Sequence, residues 1–385
     1  MRLRVLRPVG EALPPVKRGA DPVGVIPEDY EAIFVQSGTA ALALALKVAA
    51  ERAGPGRHRV LLPGYGCPDL VAATVFAGLE PCLVDTAPDS PFLSMESLEA
   101  WLDERVLAVV GVHFLGLAED IPALRKRCDP LGITVIEDSA QKIPSAGGID
   151  PAADLVVLSF GRGKPAGALG GGALLLRPDA IDRDSVLRHV TGAAQGTRWV
   201  GLRRLAYNTA IRPGPYAIML RLPGLELGVT RYQGLAGIEA LDPQLKDCAV
   251  AGWSHASRTP LPQQQAMSDL VCHNPLVSEL SQASGHESSG PLLRYPALAL
   301  DKTVRDALLA SLWRRGLGAS GMYLSALPDI PGLPQLPEFD LVNARSFAMR
   351  LLTLPVHADV IADDWAEISR IMTHAARKYA ARQML

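Results

Sequence analysis

The chain lacks any uninterrupted apolar run of the ~18 residues that a spanning helix requires, so no membrane-crossing segment is expected. Its N-terminus, Met1-Arg2-Leu3-Arg4-Val5-Leu6-Arg7-Pro8, has no long apolar core of the secretory kind, which points to a cytoplasmic protein. There is no basic block and the formal net charge is -2, so no nucleic-acid partner is expected. Cysteine is sparse. Cys67, Cys82, Cys128, Cys248 and Cys272 show neither CxxC nor His-pair spacing, so neither a disulfide frame nor a metal site is expected. No internal repeat is visible.

What is present is a chain too long for one ordinary core, which implies a large domain, 1–245, and a smaller C-terminal α+β domain, 246–385. Its hydrophobic fraction of 48%, rich in Ala, Leu and Val, suits a large buried sheet and a subunit interface. Short apolar runs at Val60–Leu62, Cys82–Val84, Ala108–Val112, Thr134–Ile136, Leu155–Leu158 and Ala173–Leu176 read as strands buried on both faces. Helix candidates lie between them at Thr39–Arg52, Ser94–Trp101 and Glu119–Cys128. This alternation predicts an α/β fold with a mostly parallel sheet and ligands at the strands' carboxyl ends.

Residues 181–230 break the pattern. Arg198, Arg203, Arg204, Arg212 and Arg221 mingle with Trp199, Leu202, Leu205, Tyr216, Ile218 and Leu220, and Pro213 and Pro215 forbid one long helix. The segment reads either as an excursion covering a dimer or substrate entrance, or as a weak peripheral contact with an anionic membrane. The polar stretch 260–290 reads as loop. A last unit follows, with Tyr295–Leu300 as strand and helices at Thr303–Arg315 and Asp363–Arg377.

Lys164 follows one strand, in Ser159-Phe160-Gly161-Arg162-Gly163-Lys164, and Asp138 ends another, in Val135-Ile136-Glu137-Asp138-Ser139-Ala140-Gln141. A lysine amine and a strand-end carboxylate in this order suggest pyridoxal phosphate (PLP). The amine forms a Schiff base with the aldehyde, and the carboxylate keeps the ring nitrogen protonated. Ser37-Gly38-Thr39 opens a helix, where free amides attract phosphate, and the Ser159 hydroxyl is a further candidate. His113, at another strand end, is either a cleft residue or a histidine bonded to backbone.

Together, Ser37-Gly38-Thr39-Ala40-Ala41-Leu42, Glu137-Asp138-Ser139-Ala140-Gln141 and Ser159-Phe160 followed by Lys164 resemble the DegT/DnrJ/StrS family of PLP-dependent sugar aminotransferases. Val112-His113-Phe114-Leu115-Gly116, Met322-Tyr323 and Leu352-Thr353-Leu354-Pro355-Val356-His357 are similar to that family too. The likeness is good over roughly 30–180, moderate over 294–385 and weak between. It implies fold type I, the aspartate aminotransferase-like fold, and a homodimer with sites between subunits. It also implies that Lys164 carries the cofactor, Asp138 meets the ring nitrogen, Gln141 meets the ring's oxygen side, and Gly38, Thr39 and Ser159 hold the phosphate. The implied reaction moves an amino group, with glutamate as donor, onto a nucleotide-linked keto-sugar in surface-polysaccharide or secondary-metabolite synthesis. Tyr323 joins His113 as a substrate candidate.

Three departures stand out. Cys67 occupies the place of an aromatic residue that stacks on the ring, so either Tyr65 substitutes or the ring is held loosely. The family's Asn-x-Arg is reduced to Val229-Thr230-Arg231, with Arg231 kept. Arg162 adds a cation that either binds an acidic group or is solvated. Two alternatives therefore stay open: a PLP- or sugar-binding protein with a regulatory role, and another fold type I reaction such as desulfuration, with Cys272 as its nucleophile.

Overall fold

The computed structural model describes residues 4–16, 19, 25–143, 149–194, 196–222, 230–256, 262–280, 290–337 and 339–383. The expected strands appear, in one seven-stranded sheet: β1 (Glu31–Val35), β2 (Arg59–Pro63), β3 (Glu80–Val84), β4 (Val106–Val112), β5 (Thr134–Asp138), β6 (Leu155–Ser159) and β7 (Gly172–Leu176). Their order is β1-β7-β6-β5-β4-β2-β3, with β7 antiparallel to both neighbours and the other pairs parallel. The apolar runs are continuous because both faces are covered. Along β6, Leu155 and Val157 enter one core cluster and Val156 and Leu158 the other; β7 alternates likewise, Leu174 and Leu176 against Ala173 and Leu175.

The helix Gly38–Arg52 runs through the first cluster. Residues Ala40–Leu46, Val48 and Ala49 are buried, so it has no solvent face for its first two turns. Small alanines let it lie close to β6 and β7, with which it makes extensive contact. Helix Pro243–Ala256 straddles the expected domain boundary, and its Cys248, Ala249 and Trp253 pack in the second cluster of the large sheet. Beyond it a three-stranded sheet of β8 (Val277–Glu279), β9 (Tyr295–Ala299) and β10 (Leu351–Leu354) packs with Lys302–Arg314 and other helices around a third cluster. The N-terminal segment joins this unit through a Leu6–Leu317 bridge.

One expectation needs adjustment. Residues 260–290 are not all loop: Pro262–Cys272 is a helix and Val277–Glu279 a strand, while 281–289 lie outside the described residues. Pro262 sits where a helix lacks an amide acceptor anyway, so it starts the helix, and the glutamines after it are good helix formers. In the excursion, Val200–Ala210 and Pro213–Met219 are two short helices broken at the prolines, as expected. Val200 and Ile211 face inward, whereas Trp199, Leu202, Leu205, Ile218, Leu220 and Leu222 are exposed. The inner side is tied down: Asn208 Nδ2 donates to the Leu13 carbonyl at 3.0 Å, and Arg7 Nη1 donates to the Ile211 carbonyl at 2.8 Å.

Candidate active site

The carboxyl ends of β5 and β6 lie side by side, Asp138 opposite Val157, and deliver Asp138 and Ser159 to one end of the sheet. The Ser37-Gly38 turn arrives there from β1. Its Ser37 hydroxyl caps the helix by accepting the Ala40 amide at 3.1 Å. Gly38 is required by closeness: a Cβ there would lie 2.7 Å from Ser159 Cβ and 2.8 Å from Ser159 Oγ. From the other side, a Cβ on Gly172 would come 2.3 Å from the Ser37 carbonyl oxygen. Only backbone fits between these walls.

A cavity of about 270 Å³ opens at this point. Ser37, Gly38 and Thr39 line it together with Ser159, Asp138 and Lys164. Lys164 is set by a tight turn, its amide donating to the Gly161 carbonyl at 3.1 Å, with Gly163 at φ 78°. Asp138 Oδ1 accepts the Ala140 amide at 2.9 Å, and Oδ2 has no partner among the described residues. Burial pushes this carboxyl above the usual carboxylate range, although the Ala140 amide and the Lys164 charge pull the other way.

Sequence reasoning missed Asp69. It lines the same cavity, and Thr39 Oγ1 donates to its carboxylate at 3.0 Å. An anion at the helix N-terminus competes with Asp69 for that hydroxyl, so Ser159 and the first helix amides are the uncommitted donors there. In sequence Asp69 is only a first-turn acid after Pro68, and nothing local announces its meeting with Thr39.

The remaining candidates separate by depth. Cys67 lines the cavity, and burial, reinforced by the Asp69 charge, pushes its thiol up to about 12, so it remains protonated. Behind it stands Tyr323, whose hydroxyl meets the Cys67 thiol and takes a long 3.4 Å hydrogen bond from Gln141 Nε2. Gln141 Oε1 accepts the Leu115 amide, so this side chain supports the wall one layer out. Tyr65 is sealed in the core with its hydroxyl donating to the Tyr323 carbonyl, and its ring packs on Phe114 and Phe347. It does not line the cavity, whereas Cys67 does. His113 is likewise buried, with Nε2 3.0 Å from Glu137 Oε1 and Nδ1 accepting the Glu119 amide. Burial works against the Glu137 charge, but hydrogen bonds from His113 and Ser139 outweigh it and hold the carboxyl below its usual range. Arg162 and Arg231 are exposed, and neither lines this cavity; Val229 lies outside the described residues.

A second cavity, about 280 Å³, reaches Lys164 from another side and is lined by Glu11, His255, Gln264 and His357 among others. Burial lowers His357 to about 4, so the ring is neutral; Nε2 donates to the Arg7 carbonyl at 2.9 Å and Nδ1 is a buried acceptor without a partner among the described residues. Among the described residues no cluster of His, Cys, Asp and Glu is arranged to hold a metal ion, and no helix is long and apolar enough to cross a membrane.

The sequence profile of the DegT/DnrJ/EryC1/StrS aminotransferase family matches residues 27–249, more than half of the chain and all of this cavity's lining. The chain belongs to that family. A curated member, the UDP-N-acetyl-3-dehydro-alpha-D-glucosamine 3-aminotransferase of Acidithiobacillus ferrooxidans, is 33% identical over 147 residues. That stretch spans 37% of this chain and 39% of the relative. Solved structures of the same fold include Helicobacter pylori PseC, an aminotransferase involved in the biosynthesis of pseudoaminic acid. It superposes with a TM-score of 0.72 at 16% identity and covers 97% of this chain and all of that one. NtdA of Bacillus subtilis, solved with bound cofactor PMP, gives a TM-score of 0.66 at 14% identity, over 90% of this chain and 73% of that one. The α/β fold expected of fold type I is thus the fold observed.

Proposed function

We propose that this family member is a PLP-dependent aminotransferase that moves an amino group, with glutamate as donor, onto a nucleotide-linked keto-sugar. The observation that carries the reading is the meeting of Lys164, Asp138 and the Ser37–Thr39 helix start around one cavity. The residues fit the cofactor. Gly38 leaves room that a Cβ would fill, Ser159 offers a hydroxyl to a phosphate, and the unpartnered Asp138 Oδ2 can accept a ring N–H. Such a cationic partner would relieve the buried carboxyl. When bound, PLP supplies the electron sink that makes a proton on the substrate carbon acidic. Lys164 is the amine placed to attach the cofactor and to move that proton.

The second cavity gives the substrate a side of its own. Its Gln264 amide and Glu11 carboxylate suit hydroxyls of a sugar. Protein purified with PLP should be yellow, and Lys164→Ala should lose the visible absorbance; a colourless wild type sinks the cofactor reading. A panel of nucleotide keto-sugars with glutamate then names the substrate. The finer reading includes a homodimer, which family membership supports and a fully active monomer would contradict. It also includes a cytoplasmic location and a salt-sensitive contact of the 181–230 face with anionic membranes. Exposed Trp199, Leu202 and Leu205 beside exposed Arg198 and Arg203 support that contact, and vesicle sedimentation tests it. No binding at low salt rejects it.

Cys67 favours one rival. With a thiol where an aromatic ring would stack, the chain could bind cofactor without turnover, and then glutamate would leave the bound cofactor's spectrum unchanged. The desulfuration alternative gains nothing: Cys272 ends the helix Pro262–Cys272 at the surface and lines neither cavity.

A further inference from the structure

Arg294 is the anomalous cation of the described chain. It lies between Leu293, which lines the second cavity beside Lys164, and Tyr295, the first residue of β9. No hydrogen bond or ion pair satisfies its guanidinium among the described residues, and its Nε is sealed from solvent without a partner. The buried arginines are satisfied. Arg7 donates to the carbonyls of Gly10 and Ile211 and pairs with Asp359, while Arg305 donates to the Ala348 carbonyl and pairs with Asp306. Arg294 is half-buried, and a guanidinium whose sealed Nε meets neither acid nor carbonyl carries a desolvation cost that an anion from outside the chain would offset.

Its surroundings contain no substitute. The titratable groups that act on it are Tyr323, Tyr65 and Tyr216, brought by three separate segments of the chain. Burial raises all three phenols above their usual value, so they stay neutral and can offer hydroxyls but no charge. Burial also draws the Arg294 guanidinium down to about 10, which still leaves it protonated at neutral pH. Tyr323 in turn touches the Cys67 thiol of the first cavity, and Leu292 and Leu293 line the second. Arg294 lines neither cavity itself but stands between their walls, one residue from Leu293 of the second and next to Tyr323, which touches Cys67 of the first.

We propose that Arg294 is a substrate-binding residue that clasps an oxyanion, either a carboxylate of the amino donor or a phosphate of the sugar nucleotide. This rests on the aminotransferase reading. A planar guanidinium accepts two oxygens of either group in parallel, and neutral phenols beside it add donors without repelling the anion.

Calorimetric binding of 2-oxoglutarate, uridine diphosphate and inorganic phosphate to wild type, Arg294→Gln and Arg294→Lys tests the assignment, with and without added PLP. Arg294→Gln should keep the cofactor's absorbance and lose affinity for one probe on the order of 10- to 100-fold. Loss confined to 2-oxoglutarate identifies the carboxylate source, and loss confined to uridine diphosphate the nucleotide source. Arg294→Lys should recover part of the affinity, because the charge remains and the fork does not. The same probe should raise the melting temperature of wild type but not of Arg294→Gln. Equal binding of every probe by wild type and Arg294→Gln overturns the proposal, as does a variant that is merely less stable with unchanged probe responses. Should wild type fail to colour with PLP, the aminotransferase reading falls, while the probe series without PLP still decides whether Arg294 binds oxyanions.

Discussion

Gly38→Ala is the sharpest test of the geometry around the cofactor cavity, because two effects of opposite sign compete there. Gly38 opens a helix and is not among the glycines at positive φ, so alanine can adopt its backbone. On backbone entropy and helix propensity alone the substitution should stabilise by about 0.4–1 kcal/mol. Against this stands the added Cβ, 2.7 Å from Ser159 Cβ and 2.8 Å from Ser159 Oγ. Ser159 Cβ sits at the end of β6 and cannot rotate away, so the helix start and the strand end must part. Overpacking of this kind costs about 1–3 kcal/mol, so the net effect should be destabilising. Denaturant unfolding of the cofactor-free protein, followed by circular dichroism, measures it. Ser159→Gly removes both clashing atoms and should restore Gly38→Ala, giving a coupling of about 1–3 kcal/mol. Ser159→Ala removes only the hydroxyl and should restore little. A stabilised Gly38→Ala, or additive effects with Ser159→Gly, would refute the close approach and with it the cradle inferred for the phosphate.

Asp138→Asn should separate stability from binding. Asparagine keeps an oxygen for the Ala140 amide but carries no charge. Because the native carboxyl titrates above its unfolded value, the cofactor-free wild type loses stability as pH rises from the unfolded to the native pKa. At neutral pH Asp138→Asn should therefore be more stable than wild type without PLP and bind PLP more weakly; an equally tight cofactor would dismiss the ring-nitrogen role. His357 has the opposite sign. Its native value, about 4, lies below the ordinary histidine value of about 6.5, so its contribution is intact above that value and lost as pH falls toward 4. His357→Asn should flatten that part of the stability-against-pH curve, and an unchanged slope would show that the imidazole is not held neutral.

The large sheet was legible because strands covered on both faces announce themselves as unbroken apolar runs, whereas direction and partner leave no such mark. β7 reads like β6, yet it runs antiparallel to it. Lys164, Asp138 and Ser159 were legible as strand-end chemistry. The depth of their neighbours was not: Gln141, His113 and Tyr65 occur in the right segments, but packing turns them away from the cavity. Residues whose role depends on what comes to meet them, such as Asp69 and Arg294, carried no signal beyond their own identity. The Pro262–Cys272 helix was hidden by its polarity, for only Met267 and Val271 of it are buried.

The pairing of β1 sets a timetable for synthesis. Within the sheet β1 joins only β7, with Val35 opposite Gly172, although β1 leaves the ribosome long before β7 exists. During that interval the first strand has no ladder to enter, and the Ser37–Gly38 turn has neither the β6 wall nor the Gly172 wall against it. A loop of such length must close before the native contacts that reward it can form, which slows assembly. A nascent chain arrested before Gly172 already contains Asp138, Ser159 and Lys164, yet it lacks the partner that brings the helix start to them. Assembly of this cavity is thereby deferred until most of the large sheet has been made.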